Sequence, residues 1–392
     1  MLSYFTIHNF KSIQHLTLDL SFAEAKAPHG YKDMTTLPFL QEKGLPRVVP
    51  CLGLFGANGS GKSTVVQAFA LFQSIISNGL PGHQYNPNRL ARTTPESTSF
   101  ELGFFFRGCS YQYLLTYNME RIIEERLVAN EIGVFSYSEH ESAFGALTTG
   151  VYTQTKIEEI FSVQAAYQQT FLKVLALGFA GLSKEATSAF SYIENHIVVL
   201  AEVKPSASQF FTNFQHKAEK PTDFGSLTQL LNMLDIDIVR IEKRQGFEET
   251  LIAYHTNSEG DEVAFDFTEE SEGTQRLFRV LDMVLDRLAT GGVAILDSID
   301  LLLHPRLSIE LVRMFKSRRL NTKGAQLVFT AHSTELLSDE LLRVSEIGII
   351  NKTLTSGTTI KRVSDFKGVR NGTNFREQYL QGTYTGIPFP YI

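Results

Sequence analysis

The sequence predicts an α/β fold, and three observations carry that prediction. An apolar run over residues 48–55 ends at a glycine-rich turn that opens into an apolar-periodic stretch, Val65-Val-Gln-Ala-Phe-Ala-Leu-Phe. Two later apolar runs, over residues 292–296 and 325–329, each end in a polar turn. Alternating apolar and polar segments separated by glycines read as antiparallel meanders beside them.

The glycine-rich turn is Gly56-Ala57-Asn58-Gly59-Ser60-Gly61-Lys62-Ser63-Thr64. Gly56, Gly59 and Gly61 accept backbone angles that a Cβ resists, so successive N–H groups can turn inward around phosphate oxygens. The helix start adds the positive end of its dipole. In this spacing Lys62 reaches the β- and γ-phosphates of a nucleotide and the Ser63 hydroxyl holds Mg²⁺. A short glycine-rich string also occurs in ordinary turns; the strand before it and the helix after it distinguish this one.

The first segment, residues 2–20, alternates well enough for two strands around a turn at 9–12. Pro28, Gly30, Pro38, Gly44 and Pro46 then mark residues 22–46 as a surface loop. After the phosphate loop and its helix, residues 99–106, 111–117 and 126–129 read as a meander, which closes a first lobe at 1–137. Helical spacing follows in Ile157, Ile160, Phe161, Tyr167, Phe171, Val174 and Leu175, and continues through 183–201 and 226–234. Residues 150–235 therefore read as a compact helical insertion, with no heptad run long enough for an extended coiled coil. Three strands at 237–243, 250–255 and 262–267 reopen the sheet and begin a second lobe, 236–392.

Composition narrows the setting. With 392 residues and 43% hydrophobic content the chain can bury a sizeable core in two or three subdomains. Its two cysteines, Cys51 and Cys109, are too far apart for a metal-ligand pair and fit a reducing compartment. No leader-like start and no apolar run of membrane-spanning length is present, so a cytoplasmic protein is expected. The net charge of −6 gives no global footprint for nucleic acid. Lys217, Lys220, Arg240, Lys243 and Arg244 are local basic candidates, but their acidic neighbours favour a solvated face.

The last third holds a second cluster. Ser271, Glu272 and Gly273 stand where a helix begins, and Ser271 can cap it. The run 292–296 ends in Asp297, a carboxylate placed to hold Mg²⁺ in the Walker B manner. The run 325–329 leads to His332. Each element alone has an ordinary structural reading; their order in one chain points to a nucleotide-hydrolysing site.

These residues resemble the ATP-binding cassette ATPases of the SMC, RecF and overcoming-lysogenization-defect type, and the resemblance covers essentially the whole chain. Phe5-Thr-Ile-His-Asn-Phe-Lys-Ser-Ile resembles their first strands, and Glu270-Ser-Glu-Gly-Thr-Gln-Arg-Leu their signature helix start. Asp297-Ser-Ile-Asp300-Leu-Leu-Leu-His304-Pro305 resembles their Walker B strand and D-loop, and Phe329-Thr-Ala-His332-Ser their switch histidine. Gln378-Tyr-Leu-Gln-Gly-Thr-Tyr-Thr-Gly-Ile-Pro is similar to the ends of abortive-infection ATPases of the AbiL and RloA type.

The resemblance implies a cassette fold with an antiparallel β subdomain and a helical insertion. It also implies ATP and Mg²⁺ as cofactors and a homodimer or higher homo-oligomer. Each ATP would lie between residues 56–64 of one subunit and residues 271–273 of the other. A separate effector protein, often a nuclease, is the implied partner; direct clamping of DNA, as in repair relatives, is the alternative. One position departs from the pattern: Ser298 stands where these families carry a water-polarising glutamate, and serine has no basic site near neutral pH. Asp300, two positions on, is the nearest carboxylate. The expectation is a slow ATPase, or one that holds its ATP.

Overall fold

A mixed sheet of 13 strands organises the molecule. The computed structural model of the chain describes residues 1–22, 48–80, 85–90, 96–138, 142–143, 157, 159–163, 168–179, 181, 183–201, 224–233, 236–244, 250–353, 355–369 and 374–387. The 22–46 loop lies almost wholly outside the described residues, as do Lys217, Lys220 and the middle of the expected insertion.

The strands before the phosphate loop are β1 (Leu2–Phe10), β2 (Ile13–Asp19) and β3 (Cys51–Phe55). A meander follows as β4 (Thr98–Phe106), β5 (Cys109–Tyr117), β6 (Ile122–Ala129), β7 (Ile132–Tyr137) and β8 (Ser142–Ala143). Later come β9 (Ile197–Leu200), β10 (Arg240–Arg244), β11 (Thr250–Thr256), β12 (Glu262–Asp266), β13 (Val293–Leu296), β14 (Gln326–Thr330), β15 (Ile347–Thr353) and β16 (Gly357–Arg362). The helices are α1 (Lys62–Asn78), α2 (Lys184–Asn195), α3 (Phe224–Met233), α4 (Glu272–Thr290), α5 (Pro305–Lys316) and α6 (Phe375–Leu380).

The order across the large sheet is β8-β7-β6-β5-β4-β1-β2-β16-β15-β3-β14-β13-β9. From β15 to β9 the neighbours run parallel, and from β8 to β15 antiparallel. The parallel strands are covered on both faces, which is why every residue of β3, β13 and β14 is buried and why they are mostly apolar. Leu52 and Leu54 of β3 enter the core under α1, whereas Cys51 and Phe55 enter the one under α4 and α5. A third layer of packing is therefore encoded in alternate residues of one five-residue strand. β10, β11 and β12 are the three strands expected there, but they do not reopen the large sheet: they pair only with one another, as a separate antiparallel sheet.

On α1, Val65, Phe69, Phe72 and Ile76 recur at helical spacing and are fully buried. Phe69 stacks on Phe5 of β1 with centroids 3.9 Å apart. Truncating such a buried ring to alanine costs about 3–5 kcal/mol, so this contact anchors the phosphate-loop helix to the antiparallel wing.

Two expectations are corrected here. Residues 197–200, read as the end of a helix, form β9, which pairs parallel to β13 and lengthens the sheet. The β-branched run Ile-Val-Val needs a sheet neighbour, and β13 supplies it. The described part of the expected insertion is also not a separate body, because Phe171, Leu175, Tyr192 and Ile193 share one core with β1, β4 and β5. Glu125 of β6 fixes that union: its buried carboxylate accepts bonds from the Phe171 and Leu172 N–H groups and from the Tyr113 and Tyr137 hydroxyls.

Candidate nucleotide site

The strand order brings the site together. β14 lies between β3 and β13, so the turns leaving the carboxyl ends of all three meet in one crevice. β3 delivers residues 56–61, β13 delivers Asp297, and β14 delivers Thr330 and His332.

Gly61 caps α1 with φ of 106°, a left-handed conformation suited to glycine, and a Cβ there would overlap the Thr358 hydroxyl. That hydroxyl donates to the Ser60 carbonyl at 2.9 Å, so β16 braces the loop from outside. Lys62 is buried, and its ammonium donates to the Gly56 and Ala57 carbonyls at 2.7 and 3.1 Å. Burial pulls it below the ordinary lysine range, opposed by the nearby Asp297 and Asp300 carboxylates. An arriving phosphate would favour the charged form further.

Asp297, 2% exposed, joins two strands' worth of chemistry. Its Oδ1 accepts from the Ser63 hydroxyl at 3.1 Å and from the Thr330 hydroxyl at 2.6 Å. Thr330 Oγ1 in turn accepts from the Ser298 N–H at 2.7 Å. Ser298 is buried in a left-handed conformation, φ 51°, and Arg276 Nη2 donates to the carbonyls of Asp297 and Ser298 at 2.8 and 2.7 Å. A strained non-glycine residue beside a functional carboxylate marks a position over-determined by its surroundings.

Asp300 spends one carboxylate oxygen on a neighbouring turn, while its Oδ1 is buried without a hydrogen-bond partner among the described residues. Its Oδ2 accepts from the His332 N–H at 2.8 Å and from the Ser333 N–H, so the carboxylate holds the switch turn. His332 itself is exposed. The structure therefore links Lys62, Ser63, Asp297, Asp300 and His332. It does not bring Ser271, Glu272 and Gly273 among them. Ser271 caps α4 by accepting from the Thr274 N–H at 3.1 Å, and a Cβ on Gly273 would meet Leu302 O at 2.9 Å and nothing of the phosphate loop.

The donors fit Mg²⁺ with a nucleoside triphosphate. A hydroxyl and a carboxylate stand side by side in Ser63 and Asp297, the small protein contribution that Mg²⁺ takes when phosphates and waters complete its octahedron. Among the described residues no group of three acidic, histidine or cysteine side chains forms a denser metal cage. The Ser60 hydroxyl is buried without a partner at the loop, a polar atom left for a ligand.

Sequence reading missed Arg276, Thr330, Thr358 and the contribution of residues near Gly386, whose carbonyl accepts from the Ala57 N–H at 2.7 Å. Arg276 and Thr330 lay inside motifs already singled out; an arginine four residues into an amphipathic helix was the available signal. Of the basic candidates, Arg240 is committed to Glu242 and Glu262 and lies over the Tyr254 ring at 3.4 Å. No helix among the described residues is long and apolar enough to cross a membrane.

Among solved structures, the chain is similar to the SMC head domain from Thermotoga maritima, at 13% identity and a TM-score of 0.42, covering 92% of this chain and 98% of that one. It is also similar to the Smc head domain with an extended coiled coil bound to the C-terminal domain of ScpA from Pyrococcus furiosus, at 11% identity and a TM-score of 0.44, covering 98% and 99%. No curated protein matches the sequence. A family model described as "AAA domain, putative AbiEii toxin, Type IV TA system" matches residues 51–150 and 152–338, well over half of the chain. With a glycine-rich loop, a strand-end aspartate and the turn of His332 meeting in one crevice, the chain belongs to this AAA-domain family.

Proposed function

We propose that the protein is a nucleotide-switched ATPase that dimerises around ATP and Mg²⁺ and governs a separately encoded effector in an antiphage, abortive-infection type of defence. The observation that carries the reading is the bonded path from Ser63 through Asp297 to Thr330, with Asp300 holding the His332 turn beside it. A change at the γ-phosphate is felt along that path by two strand ends and a turn at once.

Lys62 and the N–H groups at the start of α1 hold the phosphates, and Ser63 and Asp297 hold the metal. Held there, Mg²⁺ would supply positive charge to the phosphate oxygens. Ser298 offers no basic group to the attacking water, so turnover is slow and the ATP-bound dimer persists. Ser271 to Gly273 of the partner subunit meet the γ-phosphate from the other side, and His332 reads whether it is present. Hydrolysis removes that contact and releases the closed form.

The similarity of residues 378–388 to the ends of AbiL- and RloA-type ATPases supports the defence setting, as does the toxin–antitoxin description of the family. The pairing of the Arg240 guanidinium with Glu242 and Glu262 supports a protein effector over DNA clamped on that sheet. Sedimentation with and without ATP and Mg²⁺ tests the switch: the expected result is a dimer that needs both, and a monomer at saturating ATP overturns it. A host plating assay with the neighbouring genes present tests the setting, since Lys62→Ala should abolish protection.

A further inference from the structure

The phosphate loop is held by a stretch of chain that no motif assigns to it. Gly386 O accepts from the Ala57 N–H at 2.7 Å and also from the Tyr379 hydroxyl at 3.2 Å. Between these two residues the chain is folded tightly on itself. Thr383 N–H donates to Gln378 O at 3.0 Å and Thr385 N–H to Gly382 O at 3.1 Å. Tyr384 is fully buried, packs edge-on to Phe366 at 5.3 Å and donates its hydroxyl to Gln378.

The close approach is built into two glycines on either side of β15. A Cβ on Gly56 would overlap the Ile350 carbonyl, and a Cβ on Gly386, φ 74°, would lie 2.9 Å from Ile349 Cγ2 and 3.2 Å from Ile350 O. The middle of β15, at Ile349 and Ile350, is therefore packed against the entry of the phosphate loop and against the turn that grips that loop. Here an N–H that could point elsewhere is fixed from outside, while Thr358 fixes the Ser60 carbonyl.

We propose that Tyr379 and Gly386 are positioning residues of the nucleotide site, and that filling the site tightens the docking of residues 379–387. The inference rests on the ATP reading of the site. The physical basis is linkage: a loop geometry favoured by the docked segment and also by phosphate couples the two, and the coupling acts equally in both directions. Tyr379 holds the Gly386 carbonyl in line, Gly386 holds Ala57, and the loop's remaining donors stay arranged for the anion.

The test is amide hydrogen exchange on the whole protein with and without ATP and Mg²⁺, beside calorimetric titration with ATP. Exchange at Ala57 and at residues 382–385 should slow several-fold on ATP addition, and Lys62→Ala should abolish the slowing. Tyr379→Phe, which deletes one oxygen, should weaken ATP binding about three- to tenfold, the range of a single net hydrogen bond. Gly386→Val should weaken it further; if that variant fails to fold, the exchange result on the unaltered chain still decides. Unchanged exchange at these amides in a protein that binds ATP overturns the inference alone. Failure of the unaltered protein to bind ATP at all overturns the functional reading and takes the inference with it.

Discussion

The phosphate loop and the signature turn both lie at the start of a helix, yet they are finished to different degrees. Around the loop, Lys62 is 5% exposed and Asp297 2%, and β3, β13, β14, β16 and the Gly386 turn all contribute bonds. At the signature turn, Ser271 and Glu272 are exposed, and Ser271 is occupied only with capping its own helix. One region is complete within a single chain. The other leaves an N-terminal helix end exposed at the surface.

The comparison breaks if the loop proves dispensable. Lys62→Ala should leave the fold intact and remove all stabilisation by ATP. At about 100 times its dissociation constant ATP would contribute about 2.7 kcal/mol to the unaltered protein. A thermal scan with Mg²⁺-ATP should show a rise of a few degrees before the substitution and none after it; an equal rise in both disproves the loop's role.

A substitution at the exposed end should leave the single chain's binding intact and damage only association. Gly273→Asp sets a carboxylate against the partner's γ-phosphate and should weaken ATP-driven dimerisation at least about tenfold by light scattering, the effect of about 1.4 kcal/mol. Its Cβ must also displace Leu302 O, 2.9 Å away, so monomer ATP affinity is measured in parallel and should stay within about twofold. Dimerisation as strong as before removes the signature turn from the site.

Ser298→Glu sharpens the contrast at its chemical centre. General-base catalysis is worth about 10²–10⁴ in rate, but glutamate must here accept a left-handed backbone and a buried site. About a tenfold gain in turnover, with ATP affinity little changed, is the expected outcome in a phosphate-release assay. If turnover is unchanged and Asp300→Asn silences the unaltered chain, Asp300 does more than hold the His332 turn. The smallest effect belongs to Ser271→Ala, which should cost about 1 kcal/mol or less of stability through the lost cap, read as a small shift in the urea midpoint.

Local chemistry was legible in the sequence and long-range chemistry was not. The phosphate loop, Asp297 and His332 announce themselves because each ends a buried strand with a polar turn, and a strand end is a local event. Asp300 was visible as a carboxylate but not as the support of residues 332 and 333, because that bond joins two separate turns. Thr358 carried no signal, and Gly386 was visible only as part of a family-like tail with no tie to the phosphate loop: a hydroxyl on β16 and a glycine in a turn become part of the site only when β15 and β16 dock beside β3. β9 was hidden for a different reason. Ile197–Leu200 follows α2 after a single residue, His196, and four residues are too few for periodicity to change visibly.

The strand order also governs when the molecule can exist. β3 emerges with residues 51–55, but its two neighbours, β14 and β15, are made only with residues 326–330 and 347–353. A ribosome adding about 5–20 residues per second leaves that apolar strand with both edges unpaired for roughly 15 to 60 seconds. Such distant pairing slows folding, and unpaired edges invite association with other nascent chains. Interrupted synthesis should therefore yield a phosphate-loop sequence without a phosphate site, a fragment prone to aggregate and unable to take up the nucleotide that would signal a finished protein.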